Sequence, residues 1–165
     1  MWRFLLFTAL AAFAADLNDD LFDAARKGDL AGVKALVGKG AAVDARNRYE
    51  ATPLLYAAMN GHTEVVRFLL DKGAGPNVKD TFYNWVPITQ AAARGHAEVV
   101  KLLLEKGADS TEAMRNAIMG GRVEVARAVL QTAKFTPEAL ANFLAFAEKQ
   151  KRTDIADLLK VGAKQ

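Results

Sequence analysis

Apolar side chains in the middle of the chain gather in short clusters separated by turn residues. In "TPLLYAAMNGHTEVVRFLLDKG", residues 52–73, one cluster ends at Gly61. A second, made of Val65, Val66, Phe68, Leu69 and Leu70, spans a wide face before Gly73. That spacing predicts two helices of roughly eight to ten residues each. Thr52 is placed to cap the first, with Pro53 at the first helical position, where a missing N–H is harmless. Gly61 is expected to end it in a left-handed conformation. Thr63 is expected to cap the second helix, and Gly73 to stop it. Small Ala57 and Ala58 allow close approach of a neighbour. Helices this short are marginal alone, so the pair needs partners to stack against.

The partners are in the sequence. "KGDLAGVKALVGKGAAVD" (27–44) precedes "NGHTEVVRFLLDKGAGPN" (60–77), and "RGHAEVVKLLLEKGADS" (94–110) follows it. Gly28 lies 33 residues before Gly61, and Glu64 lies 34 before Glu98. "GGRVEVARAVLQTA" (120–133) and "KRTDIADLLKVGAK" (151–164) continue the pattern. The step from Glu98 to Glu124 is only 26 residues, so the fourth unit is truncated. There Asp109-Ser110-Thr111-Glu112 passes straight into a helix. Thr136 and Pro137 mark a later helix start. Helices are expected at 17–27 and 30–38, and near 137–149 and 153–161, with Lys151 in place of a turn glycine.

At these residues the chain resembles the ankyrin repeat family. "ATPLLYAAMNGHTEVVRFLLDKGAGPN" follows the family pattern of TPLH, AA and GH-x-EVV-x-LLL, and "QAAARGHAEVVKLLLEKGADS" follows it again. Leu55 and Thr89 stand where the family has the histidine of TPLH. Val86-Pro87-Ile88 replaces Thr-Pro-Leu, and Gly75-Pro76 replaces Asp-Val. The resemblance implies an all-α fold: an ankyrin-repeat solenoid of about five stacked helix pairs with β-hairpin-like fingers. Repeats would fall at 17–46, 47–79, 80–110, 111–135 and 136–165, the outer two acting as caps.

The N-terminus reads differently. Arg3 precedes an apolar run from Phe4 to Ala15, and Ala12 and Ala14 form an A-x-A pattern. The run is too short to span a bilayer comfortably. Residues 1–14 are expected to be a signal peptide, leaving a repeat domain over 15–165 and no stable membrane span. The export expectation is periplasmic or secreted, and the alternative is an uncleaved anchor or a buried helix. The chain has no Cys, which excludes disulfides and thiolate chemistry. A net charge of +3 spread along the chain does not outline a nucleic-acid groove.

No catalytic or metal-binding constellation stands out. His62 and His96 occupy equivalent repeat positions, roughly one repeat apart, which suits structural roles better than a shared metal. Glu64, Glu98, Glu124 and Asp154 also recur by position, as helix N-terminal acids do. "GKGAA" at Gly38–Ala42 falls at a helix C-terminus, the wrong end for a phosphate. No cofactor is expected, and no enzymatic activity.

The resemblance instead implies a monomeric protein-binding module working through finger tips and the concave helix face. The candidate residues are Arg48, Tyr49 and Glu50 on the first finger, Phe82, Tyr83, Asn84 and Trp85 on the second, Tyr56 and Met59 on one helix, and Gln90 and Arg94 on the next. Arg115 and Met119 extend this face. Three rings in "TFYNWVP" (81–87) are unusual for a loop. They are suited to binding a partner, or to filling the gap beside the truncated unit. Two alternatives in function remain: a small-ligand or enzymatic site in the groove, and a delivered effector or immunity-type inhibitor.

Overall fold

A computed structural model describes residues 17–162. The expected signal segment, 1–14, lies outside them. Ten helices form among the described residues: α1 (17–27), α2 (Leu30–Gly38), α3 (Pro53–Met59), α4 (Thr63–Asp71), α5 (Pro87–Arg94), α6 (Ala97–Glu105), α7 (Ser110–Gly120), α8 (Val123–Thr132), α9 (Pro137–Lys149) and α10 (Thr153–Gly162). They stack in two layers. One contains the first helices α3, α5, α7 and α9; the other contains the second helices α2, α4, α6, α8 and α10. The core lies between the layers, from Leu21 and Val33 through Leu54, Val66, Ile88, Val100, Met114 and Val129 to Ile155. Alanines on the first helices, including Ala57, Ala58, Ala91, Ala92, Ala113 and Ala117, are fully buried where helices pack. Among the described residues no helix is long and apolar enough to cross a membrane.

Local signals explain most helix ends. The Thr52 hydroxyl accepts from Leu55 N–H, and the Thr136 hydroxyl from Ala139 N–H, each with a proline just inside the helix. Asp109 accepts from the N–H groups of Thr111 and Glu112, so α7 starts at once and residues 106–109 suffice where earlier units carry a finger. Lys151 takes the turn position with φ 57°. Glu64, Glu98 and Glu124 lie in first turns and pair with Arg67, Lys101 and Arg127 one turn on. These pairs are exposed and contribute little.

One expectation is corrected. Thr63 does not cap α4: it is the first helical residue, and the cap position belongs to His62, whose ring points elsewhere. No strand forms among the described residues. Each finger is a tight turn closed by backbone bonds: Asn47 N–H to Ala51 C=O (3.2 Å) and Glu50 N–H to Asn47 C=O (2.9 Å) in the first, and Asp80 N–H to Trp85 C=O (3.0 Å) in the second.

The His62 ring is engaged with the preceding unit. Its Nε2 is 2.9 Å from the Arg26 carbonyl oxygen, and His96 Nε2 is 3.2 Å from that of Met59. A carbonyl only accepts, so Nε2 carries the proton in both rings. Arg122 Nε donates to Ala93 C=O at 3.0 Å, and the Arg152 guanidinium to Met119 C=O at 2.9 Å. Every donor immediately follows the turn residue of its own unit, and every acceptor stands two residues before the turn glycine of the previous one. The rings need glycine beneath them. A Cβ on Gly28 would meet His62 Nδ1 at 2.5 Å, and a Cβ on Gly61 would meet His96 Nδ1 at 2.5 Å.

Two glycine replacements separate backbone strain from this contact. Gly61 and Gly73 both have positive φ, 74° and 90°, but nothing lies within 4 Å of a Cβ on Gly73. Gly73→Ala should lose about 1–2 kcal/mol from its left-handed backbone alone. Gly61→Ala should lose at least about 1 kcal/mol more in urea denaturation, because His96 must also move. Equal losses would show that the His96 seat adds nothing to stability.

Candidate functional site

The two fingers are built alike from a short polar side chain that folds the loop over itself. Asn47 Oδ1 accepts from the N–H groups of Tyr49 (2.9 Å) and Ala51 (3.2 Å), and its Nδ2 donates to the Tyr56 hydroxyl at 3.1 Å. Asp80 does more. Its Oδ1 accepts from Phe82 N–H (2.8 Å) and Tyr83 N–H (2.7 Å), and its Oδ2 from Trp85 N–H (2.8 Å). The residue is only 3% exposed. Asn84 and Glu50 close the two turns in left-handed backbone, with φ 56° and 58°. Thr81 N–H donates to Tyr49 C=O at 2.9 Å and ties one finger to the other.

This backbone presents the rings as a connected row. Tyr49 and Phe82 are 5.5 Å apart between centroids, Phe82 and Tyr83 meet edge-to-face at 4.5 Å, and Tyr83 stacks on Trp85 at 4.3 Å. Phe82 and Tyr83 nevertheless stay 63% and 59% exposed. Aromatic contacts of this kind add modest stability, and here they hold the rings upright without burying them. Together with α3 they enclose a groove of about 410 Å³, whose lining includes Leu55, Tyr56 and Met59 below and Tyr49, Tyr83 and Trp85 at the sides.

The candidate residues divide accordingly. Tyr49, Tyr56, Met59, Phe82, Tyr83 and Trp85 converge on the groove. Arg48 stands at its margin with the guanidinium 4.7 Å from the Tyr49 ring centre. Glu50 is held by Arg46 at 2.9 Å. Asn84 serves as an exposed turn residue, and Gln90 and Arg94 on α5 do not line the groove. Arg115 borders a separate pocket of about 390 Å³ between α7 and α9, beside the shortened unit. The finger rings are placed elsewhere, against Tyr49 and over α3, so gap filling does not describe them. Leu55, in the place of the family histidine, is buried as groove floor. Thr89, at the same place one unit on, uses its hydroxyl on both the N–H and C=O of Val86 at the start of α5. Sequence reasoning passed over Asn47 and Asp80. Their separation of 33 residues, the repeat period, was the signal that marks them.

Among the described residues no group of three or more His, Asp or Glu side chains is placed to hold a metal ion. The two imidazoles are committed to carbonyls. The groove offers rings, apolar floor and hydroxyls, a surface for binding.

A family model described as ankyrin repeats (3 copies) matches residues 21–114. Among curated proteins, the chain is 47% identical over 57 residues to the Mus musculus "Ankyrin repeat, SAM and basic leucine zipper domain-containing protein 1", covering 34% of this chain and 12% of that protein. Its counterpart in Carollia perspicillata is 43% identical over 60 residues, 36% of this chain and 13% of that protein. The Bos taurus "Mitochondrial disaggregase" is 44% identical over 62 residues, 38% of this chain and 9% of that protein. The chain therefore matches only a small part of these relatives' length.

Asp80 is the residue on which the second finger depends. Asp80→Ala leaves three amides without their acceptor and should lower stability by about 1–3 kcal/mol, read from thermal denaturation. A loss under about 0.5 kcal/mol, the range of ordinary surface changes, would mean that the carboxylate does not hold the loop.

Proposed function

The chain belongs to the ankyrin repeat family, and on that premise we propose that it is a non-enzymatic, exported interaction module that binds another protein through the groove between its two fingers. It is read as about five repeats, with the fourth shortened and the outer two acting as caps. One observation carries the binding site: exposed rings held in place by a buried carboxylate over an apolar floor. Exposed aromatic side chains on rigid backbone suit an interface centre, because they bury much area with little loss of freedom. A groove ordered before binding also avoids part of the ordering cost of association.

The groove volume favours one second reading. About 410 Å³ falls in the range of small-molecule pockets. Thermal-shift screening of metabolites tests it: stabilisation by a small molecule, lost in a groove variant, would favour a ligand-binding protein.

For the main reading, a partner captured from the native compartment is purified and titrated calorimetrically. Tyr83→Ala with Trp85→Ala should weaken binding by at least about 2 kcal/mol, roughly thirtyfold. Unchanged affinity would remove the groove as the site. Export rests on the pattern of residues 1–15 and is tested by fractionation with N-terminal sequencing. A chain starting at Ala15 in the periplasm or medium is expected; a chain kept in the cytosol and starting at Met1 would contradict export.

A further inference from the structure

We propose that the groove takes an extended segment of a partner protein in which an aromatic or large aliphatic side chain lies close to a lysine or arginine. This deepens the protein-binding reading above and rests on it. The apolar requirement comes from the floor of Leu55 and Met59 beneath the row of rings. The positive charge comes from what adjoins it. Tyr56 lines the groove on one side, and on the other borders a second pocket of about 370 Å³ into which α1 brings Asp19, Asp20 and Asp23. Phe22 meets the Tyr56 ring edge-to-face at 6.0 Å, so the two pockets share one aromatic wall.

Charge decides the occupant. Asp23 is engaged by Arg26 at 2.8 Å and Lys27 at 3.7 Å. Against these two cations the cluster holds three carboxylates, and Asp19 and Asp20 also line the pocket. This is a local acidic excess on a chain whose net charge is +3. Among the described residues, Arg46 is engaged by Glu50, and Arg48 lies over Tyr49. The Arg48 contact also shows that the ring row accepts a guanidinium on its face, an attraction of the ring quadrupole for positive charge. A phosphate or an acidic segment would meet the three aspartates unfavourably. A cation beside an apolar anchor satisfies both pockets at once, and an extended chain lets neighbouring side chains reach both from one short stretch. Opposed charges of this kind contribute most to partner choice and association rate.

The test is selection of random peptides displayed against the full chain, followed by anisotropy titration of the enriched peptides at low and high salt. Enriched peptides should share an aromatic or aliphatic residue within a few positions of Lys or Arg. Asp19→Asn with Asp20→Asn should weaken them about fivefold and flatten the salt dependence, and Tyr83→Ala with Trp85→Ala should abolish binding. These positions are exposed or half-buried, so unchanged circular dichroism is the expected control. Peptides without a basic residue, lost in the aromatic variant but not in the aspartate variant, would overturn this inference and leave the groove as a protein-binding site. Peptides indifferent to both variants would overturn both. A selection that enriches nothing also overturns the inference, while partner capture decides the broader reading separately.

Discussion

In four successive units, the side chain one residue past the interhelical turn reaches back to the previous unit and donates to a carbonyl two residues before that unit's turn glycine. His62, His96, Arg122 and Arg152 all do this. A stack of helices this short has little to hold its register except packing between neighbours. The apolar faces supply most of the stabilising free energy, but they are similar from unit to unit and tolerate sliding. A directed hydrogen bond to a fixed backbone oxygen does not. Imidazole and guanidinium differ in reach and shape, yet the acceptor position is kept. Glycine beneath the imidazole is part of the same constraint, because a Cβ would occupy the ring's place.

Register then positions the fingers. The Tyr49 carbonyl accepts from Thr81 only because adjacent units stand at a set separation. With the fingers joined, Asp80 curls the second one so that its rings lean toward Tyr49 and over α3. The shortened unit makes the same point by contrast. Residues 106–109 cross directly to α7, and with no finger there the surface is a separate pocket around Arg115, Phe143 and Phe146. The groove is therefore a local product of two fingers and the helix beneath them.

Much of this was legible in the sequence. Prolines behind threonine caps placed α3 and α9, turn glycines ended α3 and α4, and the short step from Glu98 to Glu124 located the missing finger. Thr63 misled because a threonine after a turn glycine looks like a cap, while the role of His62 depends on an oxygen 36 positions earlier. Ring orientation was not legible either. It depends on where one carboxylate aims, and Asp80 reads as an ordinary loop acid until its three amides are seen. The aspartates of α1 come beside Tyr56 only through stacking, so their part in the site had no local signature.

The central claim is that the aromatic finger is ordered before any partner arrives. Amide hydrogen exchange of the free chain, resolved by residue, tests it most directly. Phe82, Tyr83 and Trp85 donate to a buried carboxylate although two of their side chains are exposed. Their amides should exchange far more slowly than those of an open loop, as hydrogen-bonded amides in a stable region do. Exchange of all three at free-loop rates would contradict a preformed groove.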